Sequence, residues 1–427
     1  MNKVSLVIMD CSIFLLANSM SLLRLIRMKK WKQLIIGSTL LCVCTQIAYG
    51  QSRFDSLTTS LAQIVKKESL TGMSVVLVNS KKIMYEQNFG YADVAKKTKY
   101  SAQTIQVIGS VSKTFLAIAL MKAVESGYFN LETKINDILP FKVINPSYPT
   151  ASIKVRELSN HSSSILDNPA IFPDTYQFDE GFAAYDVSAY KVLQDMGYRK
   201  KVSSTSLKEF LQDYLSGDGK YYNTGNFADS EPGSSSHYSN IGSALAAYLI
   251  EVKSGMTYAE FTEKYILKPL KMQNSSWFLN TEKLAQYARH YYDLETSFPF
   301  YECITYPDGG LRTNTTDLSK YLIALINGYH GNQSLLSKKS YQTMFTPQFS
   351  KDNPPKGISL ANRNKGIFWN LYTNGTIGHD GDDPGVSSFL FFNPATRQGG
   401  VFLCDRYLAD KSEIIALLAK YTNDIYK

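Results

Sequence analysis

The sequence predicts a mixed α/β fold of the α+β kind, an antiparallel sheet flanked by helices beside a mostly helical lobe. Three observations predict it. Strand-like stretches sit near the start, TGMSVVLVNS and KKIMYEQNFGYAD, and near the end, VSSFLFFNP and GGVFLCDRY. The region from about 130 to 300 has few β-branched runs and reads as helix and loop. Apolar helices stand at the junctions, and the most economical packing brings both chain ends into one sheet. The 427 residues, 44% hydrophobic and 19% charged, suffice for a two-lobed globular domain, and they contain no repeats or low-complexity linkers.

The chain opens with a leader. MKKWKQLIIGSTLLCVCTQIAYGQ, from Met28, has lysines, an apolar run from Leu34 to Val43, and small residues at Ala48 and Gly50. That layout predicts a secretory signal over 28–50, cleaved before Gln51, with a mature domain over 51–427. Neither Cys42 nor Cys44 follows a small residue, which disfavours a lipoprotein signal. Residues 1–27 read first as a start-site artefact, translation beginning at Met28; the alternative is a membrane segment broken by Asp10 and Asn18. Export to the periplasm or beyond is the expectation, with membrane contact only through an uncleaved leader.

The formal charge of +8 is mostly a leader property. Residues 1–50 hold six Lys/Arg and one acid, leaving 39 bases and 36 acids elsewhere. No basic stripe supports a nucleic-acid partner. Of five cysteines only Cys303 and Cys404 lie beyond the leader, either as one disulfide or as two buried thiols. The 29 tyrosines read as surface and strand usage rather than a sugar-binding cleft.

Next come a helix over 53–69, with apolar spacing at Phe54, Leu57, Leu61 and Ile64, and a hairpin turning through Asn79 to Lys82. VIGSVSKTFLAIAL then starts a helix without a polar face, ending near Gly127. Ser110 and Lys113 open it, three residues apart and so on one face. A serine at a helix N-terminus can attack a carbonyl while its own N–H stabilises the oxyanion. A lysine desolvated by apolar neighbours can take the serine proton. Ser-x-x-Lys alone is weak: Ser188 and Lys191 repeat it in a polar stretch.

A second element is Tyr238-Ser239-Asn240. Tyr-x-Asn also occurs at Tyr128, Tyr221, Tyr372 and Tyr421, but only at Tyr238 does it follow a small-residue loop and precede an apolar helix. A phenol there could relay the serine proton to a leaving group, and the Asn amide could orient Lys113 and a substrate carbonyl. The third element is TIGHDGDDPGVSSFLFF. Of the histidines at 161, 237, 290, 330 and 379, only His379 sits in His-x-Gly ahead of a strand, and Gly381 would let a substrate backbone approach.

These elements, in this order, resemble the Ser-x-x-Lys, Ser-Asp-Asn and Lys-Thr-Gly marks of β-lactamases and penicillin-binding proteins. The Tyr-x-Asn and His-x-Gly versions are similar to the class C β-lactamase and D-Ala-D-Ala carboxypeptidase branch, which also holds esterases and D-aminopeptidases. VRELSNHSSSILD, EPGSSSHYSN, LKPLKMQNSSW and PDGGLRTNTTDLSKYL resemble further family segments, so the likeness covers about Phe54 to Tyr421. The resemblance implies a β-lactamase/transpeptidase-like fold and a serine hydrolase cleaving an ester or amide through an acyl-enzyme on Ser110. Lys113 and Tyr238 would share the base and acid roles. Asn240, His379, Gly381 and Asp382 would hold substrate, and the backbone N–H groups of Ser110 and Asp382 would form the oxyanion hole. Alternatives are a β-lactamase proper and a ligand-sensing protein that acylates slowly or not at all. The substrate would be a small molecule or peptide. No metal or cofactor is expected, since no His-Glu-x-x-His or Gly-rich phosphate loop is present.

Two departures stand out. Ser164 replaces a family glycine in the His161 segment, predicting an altered turn, while His161 itself reads as structural. Where relatives place Lys-Thr-Gly or His-Thr-Gly, this chain has His379-Asp380-Gly381-Asp382-Asp383, with Asp380 in the middle of the motif. Its charge would repel a substrate carboxylate, by about 1 kcal/mol at 4 Å in water and about 4 at an effective dielectric of 20. The expected substrate is therefore neutral, such as an ester or uncharged amide, or bears an amine near the cleaved bond; the alternative is that Asp380 faces solvent or pairs with His379.

Overall fold

The computed structural model describes residues 54–178, 187–198, 205–352 and 354–423. The leader readings, with Cys11, Cys42 and Cys44, lie outside the described residues. The compact unit that carries the site begins at Leu61.

Helix α1 covers 54–67, as its apolar spacing predicts. Strands β1 (Gly72–Asn79) and β2 (Ile83–Asp93) form the expected hairpin. Asn79 makes the turn, its Oδ1 accepting the N–H groups of Lys81 at 2.8 Å and Lys82 at 2.9 Å. A short β3 (Thr98–Lys99) follows. The C-terminal part supplies β4 (Arg363–Lys365), β5 (Asn370–Tyr372), β6 (Ile377–Asp383), β7 (Val386–Asn393) and β8 (Gln398–Cys404). Together they make one antiparallel sheet, ordered β4-β5-β6-β7-β8-β1-β2-β3. The chain ends meet where β1 pairs with β8, Met73 opposite Cys404. Every residue of β7 and β8 is buried, which is why these strands read as near-continuous apolar runs rather than alternating ones.

The sequence did not mark β4, β5 or β6 as strands. Ile377–Asp383 reads Ile-Gly-His-Asp-Gly-Asp-Asp, a composition poor in strand formers. Pairing with β7, His379 opposite Leu390 and Asp382 opposite Ser387, imposes the conformation.

Helix α2 (Ser112–Glu125) runs through the core. Eleven of its 14 residues are buried, and Phe115 stacks on Tyr321 with ring centroids 4.0 Å apart. Each such apolar side chain contributes about 1.5–3 kcal/mol on burial. The helix ends as predicted: Gly127 has φ +73°, and the N–H groups of Gly127 and Tyr128 reach back to the carbonyls of Val124 and Ala123. Helix α3 (Asn240–Ser254) packs beside it, capped by the Ser239 hydroxyl and stopped at Gly255, φ +70°. Helices α4 (Thr315–Tyr329) and α5 (Ser412–Asn423) pack on the sheet, α4 on β1 and β8, α5 on β8 and β7.

Between about 130 and 300 the chain is loops and mostly short helices, with two small strand pairs the sequence did not reveal: Tyr176–Phe178 with Tyr301–Cys303, and His290–Tyr291 with Ser297–Phe298. Cys303 and Cys404 are free thiols, the first half-buried and the second buried.

Candidate active site

Ser110 does not lie in the α-helix proper. It sits in a 3-10 turn, Gly109–Val111, and α2 begins at Ser112. Gly109 has φ +52°, and a Cβ there would lie 2.8 Å from the Asp382 nitrogen and 2.9 Å from its oxygen. Across the same contact, a Cβ on Gly381 would lie 2.2 Å from the Ile108 carbonyl oxygen. Strand β6 is therefore pressed backbone to backbone against the turn carrying Ser110. The missing side chain of Gly381 is what admits the Ser110 turn, a contact the sequence reading did not foresee. Ser388 strengthens the contact, its hydroxyl donating to the Ile108 carbonyl at 2.7 Å. Asp382 puts its backbone against Gly109, while its carboxylate accepts from Ser387 at 2.6 Å and pairs with Lys411.

Lys113 is completely buried, yet its Nζ has three acceptors. They are Ser110 Oγ at 3.2 Å, Asn240 Oδ1 at 2.6 Å and the Asp308 carbonyl at 2.6 Å. Burial lowers its pKa, against the opposing pull of Asp308, Asp167, Asp383 and Asp380. The Tyr238 hydroxyl donates to Ser110 Oγ at 2.7 Å. The Tyr238 residue is 43% exposed along the cleft. Loss of solvent around its hydroxyl raises its pKa well above ordinary tyrosine; the Ser110 bond opposes this, and nearby carboxylates add to it. The four residues predicted from Ser-x-x-Lys and Tyr-x-Asn are thus joined in one network, Lys113 and Tyr238 on Ser110 Oγ and Asn240 on Lys113 Nζ.

Two residues of the His161 segment hold Tyr238 and Asn240 in place. The His161 carbonyl accepts the His237 N–H at 2.8 Å, its Nδ1 accepts the Ser239 N–H at 3.2 Å, and its ring lies tilted against that of Tyr238 with centroids 4.5 Å apart. Burial drives its pKa well down, so the ring is neutral and Nδ1 is free to accept. Asp167 accepts from Asn240 N at 2.9 Å, Ile241 N at 3.0 Å and Ser239 Oγ at 3.1 Å, fixing the start of α3. The turn at Ser164 survives the loss of glycine: Ser164 takes φ +64°, and its hydroxyl accepts from Asn145 Nδ2 at 2.9 Å. Asp167 and Asp308 lie inside family-like segments, but nothing in their spacing announced these roles.

Ser110, Tyr238 and Asn240 open onto a cleft of about 460 Å³ whose far side is built by β4, β5 and β6. His379 and Asp380 lie there as the third motif predicts. His379 Nδ1 meets the Asp380 backbone carbonyl at 2.6 Å, so the histidine bonds to the main chain rather than to the Asp380 carboxylate. Burial, against the pull of Asp380, keeps His379 below the usual imidazole range and therefore neutral. Burial would raise Asp380, but Lys411, a backbone N–H and Arg363 hold the carboxyl below its ordinary value.

Arg363 and Lys365 also line the cleft, and no motif pointed to them. Lys365 is 7% exposed, donates to Asn370 Oδ1 at 2.7 Å and lies 5.9 Å from the centre of the Tyr238 ring. Burial, with Arg363 and Lys113 adding to it and Asp380 opposing, brings its pKa down to about 7. The charge facing a substrate is therefore not that of Asp380 alone.

Known proteins share this architecture. The sequence profile of the β-lactamase family matches residues 57–420. Penicillin-binding protein 4* of Bacillus subtilis is 27% identical over 376 residues, covering 83% of this chain and 72% of that protein. Protein flp of Staphylococcus aureus strain NCTC 8325 is 24% identical, and the match covers 84% of this chain but only 64% of that one. The octameric penicillin-binding protein homologue from Pyrococcus abyssi superposes with a TM-score of 0.68 at 23% identity, covering 86% of this chain and 76% of that one. With the profile spanning most of the chain, this protein belongs to the β-lactamase family of serine hydrolases and penicillin-binding proteins.

Proposed function

We propose that the protein is an exported serine hydrolase that cleaves an ester or amide bond through an acyl-enzyme on Ser110. One observation carries the reading: Ser110 Oγ is bonded at once to Tyr238 and to a fully buried Lys113, at the mouth of a cleft. The lowered pKa of Lys113 and the raised pKa of Tyr238 divide the labour. Neutral Lys113 takes the Ser110 proton as Oγ attacks the substrate carbonyl. The negative charge on the carbonyl oxygen falls to the backbone N–H groups of Ser110 and Asp382. Tyr238 gives its proton to the leaving group as the carbonyl carbon–leaving group bond breaks, and regains one from the Lys113 ammonium. Water, deprotonated by the same pair, then attacks the acyl carbon and frees Ser110. Asn240 and the Asp308 carbonyl keep Lys113 aimed at the serine. Proton transfer by a positioned group supplies about 10²–10⁴-fold, and one oxyanion donor about 10²–10³-fold.

The test is hydrolysis of a chromogenic short-chain ester by the protein from Gln51 onward, beside Ser110→Ala. Turnover that Ser110→Ala abolishes while remaining folded is the expected result. Equal turnover by both would overturn it. Export rests on the lysine-led apolar run over 28–50 and is tested by N-terminal sequencing of secreted protein; material that begins well before Gln51 contradicts it.

A further inference from the structure

We propose that the buried carboxyls of Asp308 and Asp383 are positioning residues of the reaction: their negative charge holds the proton on the Lys113 amine and so decides when that amine can take the proton of Ser110. The inference rests on Lys113 being the base of a Ser110 hydrolase. It adds to that reading two acids whose carboxyls bond to neither Ser110 nor Lys113.

The two acids flank one loop behind the catalytic turn. Asp308 precedes Gly309, and its backbone carbonyl accepts from Lys113 Nζ at 2.6 Å. Asp383 ends β6, and its Oδ2 approaches the same glycine. A Cβ on Gly309 would lie 3.7 Å from that oxygen and 3.7 Å from the carbonyl carbon of Gly109, which opens the turn carrying Ser110. Both acids are more than nine-tenths buried, and in each the Oδ2 atom has no hydrogen-bond partner. Tyr176 donates to Asp383 Oδ1, and Thr305 donates to Asp308. Among the described residues neither carboxyl forms an ion pair. A buried carboxylate left in this state is costly, and a cation within electrostatic reach offsets the cost.

The other charges around Lys113 have partners of their own. Asp167 accepts three hydrogen bonds at the start of α3, and Asp380 faces Lys411 and Arg363. His161 and His379 are neutral. Lys365 on β4 is a like charge that disfavours the ammonium form. Arg312, also buried, commits its guanidinium to the carbonyls of Trp277, Gly310 and Tyr301. Lys113 is thus the cation that answers Asp308 and Asp383. Burial raises the two acids to about 6 and about 7, so both change charge around neutrality. Below that range Lys113 has two neutral acids behind it and parts with its proton more readily. Above it each new negative charge favours the ammonium.

The test is the pH profile of kcat/KM for 4-nitrophenyl acetate in wild type, Asp308→Asn and Asp383→Asn, beside a direct titration of Lys113. For the titration the lysines carry a 13C label at Cε, and the Lys113 NMR signal is assigned by its absence from Lys113→Arg. Each Asp→Asn change should lower the pKa of Lys113 by about 1 unit, in the NMR titration and in the rate limb alike. The variant-to-wild-type ratio of kcat/KM should therefore rise several-fold, up to about 10-fold, between pH 5 and pH 8, as the wild-type acids gain their charge. A purely structural loss would scale the rate by one factor at every pH. Asp383→Asn is the safer variant, because the amide oxygen still accepts from Tyr176 and no charge is buried. An unmoved limb or an unmoved Lys113 signal in a folded variant would overturn the proposal, and with ester turnover present the hydrolase reading would stand. No turnover by the wild type would sink the hydrolase reading, and the titration would still decide: a lowered Lys113 pKa in the variants supports the role of the two acids, and an unchanged one rejects it.

Discussion

Ser110, Lys113, Tyr238 and Asn240 form one side of the cleft; Arg363, Lys365, His379 and Asp380 form the other. On the first side the Lys113 amine has three acceptors and Ser110 Oγ has two partners, and His161 and Asp167 brace the loop from behind. On the second side Lys365 has a single neutral partner and Asp380 no ion pair among the described residues. The difference is one of purpose. Bond-breaking needs atoms held in place before substrate arrives, so that side is complete in itself. The second side keeps polar groups less fully bonded within the protein.

The comparison breaks most visibly at Lys113. Lys113→Met should lower acylation by about 10²–10⁴-fold, and Lys113→Arg should not restore it, because a guanidinium keeps its proton. In the wild type the rate should rise with pH as Lys113 deprotonates, with an apparent pKa below that of an ordinary lysine. Tyr238→Phe should be slower yet keep that limb. Loss of the limb in Tyr238→Phe would transfer the base role to the tyrosine.

A buried acid at the end of β6 sharpens the contrast through stability rather than rate. Asp383 accepts from the Tyr176 hydroxyl at 2.5 Å, its Oδ2 has no partner, and burial raises its pKa from 3.8 to about 7. The folded state thus holds a proton that the unfolded chain releases near pH 4, and the stability this gives is lost as pH rises towards 7. Asp383→Asn should therefore be more stable than wild type at pH 8, by up to about 4 kcal/mol, with the gain vanishing at pH 4. Urea unfolding at the two pH values reads this directly.

Asp167→Asn tests the bracing. An amide can accept at only one of the two oxygen positions that hold Asn240, Ile241 and Ser239, a loss of about 1–3 kcal/mol. The fall should appear in kcat more than in KM, since the loop positions Tyr238 and Asn240 without forming the far wall of the cleft. An equal rise in KM would place Asp167 in binding instead. The smallest effect belongs to Ser164→Gly. It relieves a left-handed serine but gives up the bond from Asn145, so stability should move by less than about 1 kcal/mol and ester turnover hardly at all.

The same division explains what could be read from the sequence. Ser110 with Lys113, and Tyr238 with Asn240, are local pairs, and the apolar helix behind each marks the right copy among several. The sheet was visible because β1, β7 and β8 are buried on both faces. Strands β4 to β6 were not, since glycine, aspartate and asparagine there become extended only through pairing with a neighbour. Lys365 and Arg363 carry no spacing signal, and only the sheet brings them beside Tyr238. The packing of Gly381 on the Ile108 carbonyl was not legible either, because Ile108 lies more than 270 residues earlier in the chain.

The most direct measurement is intact mass at early times after mixing the protein from Gln51 with an activated ester, followed by mapping of the modified peptide. The account predicts a transient acyl adduct on Ser110, appearing at the rate of leaving-group release and absent from Ser110→Ala. Steady turnover with the adduct on another residue, or an identical adduct in Ser110→Ala, would contradict it.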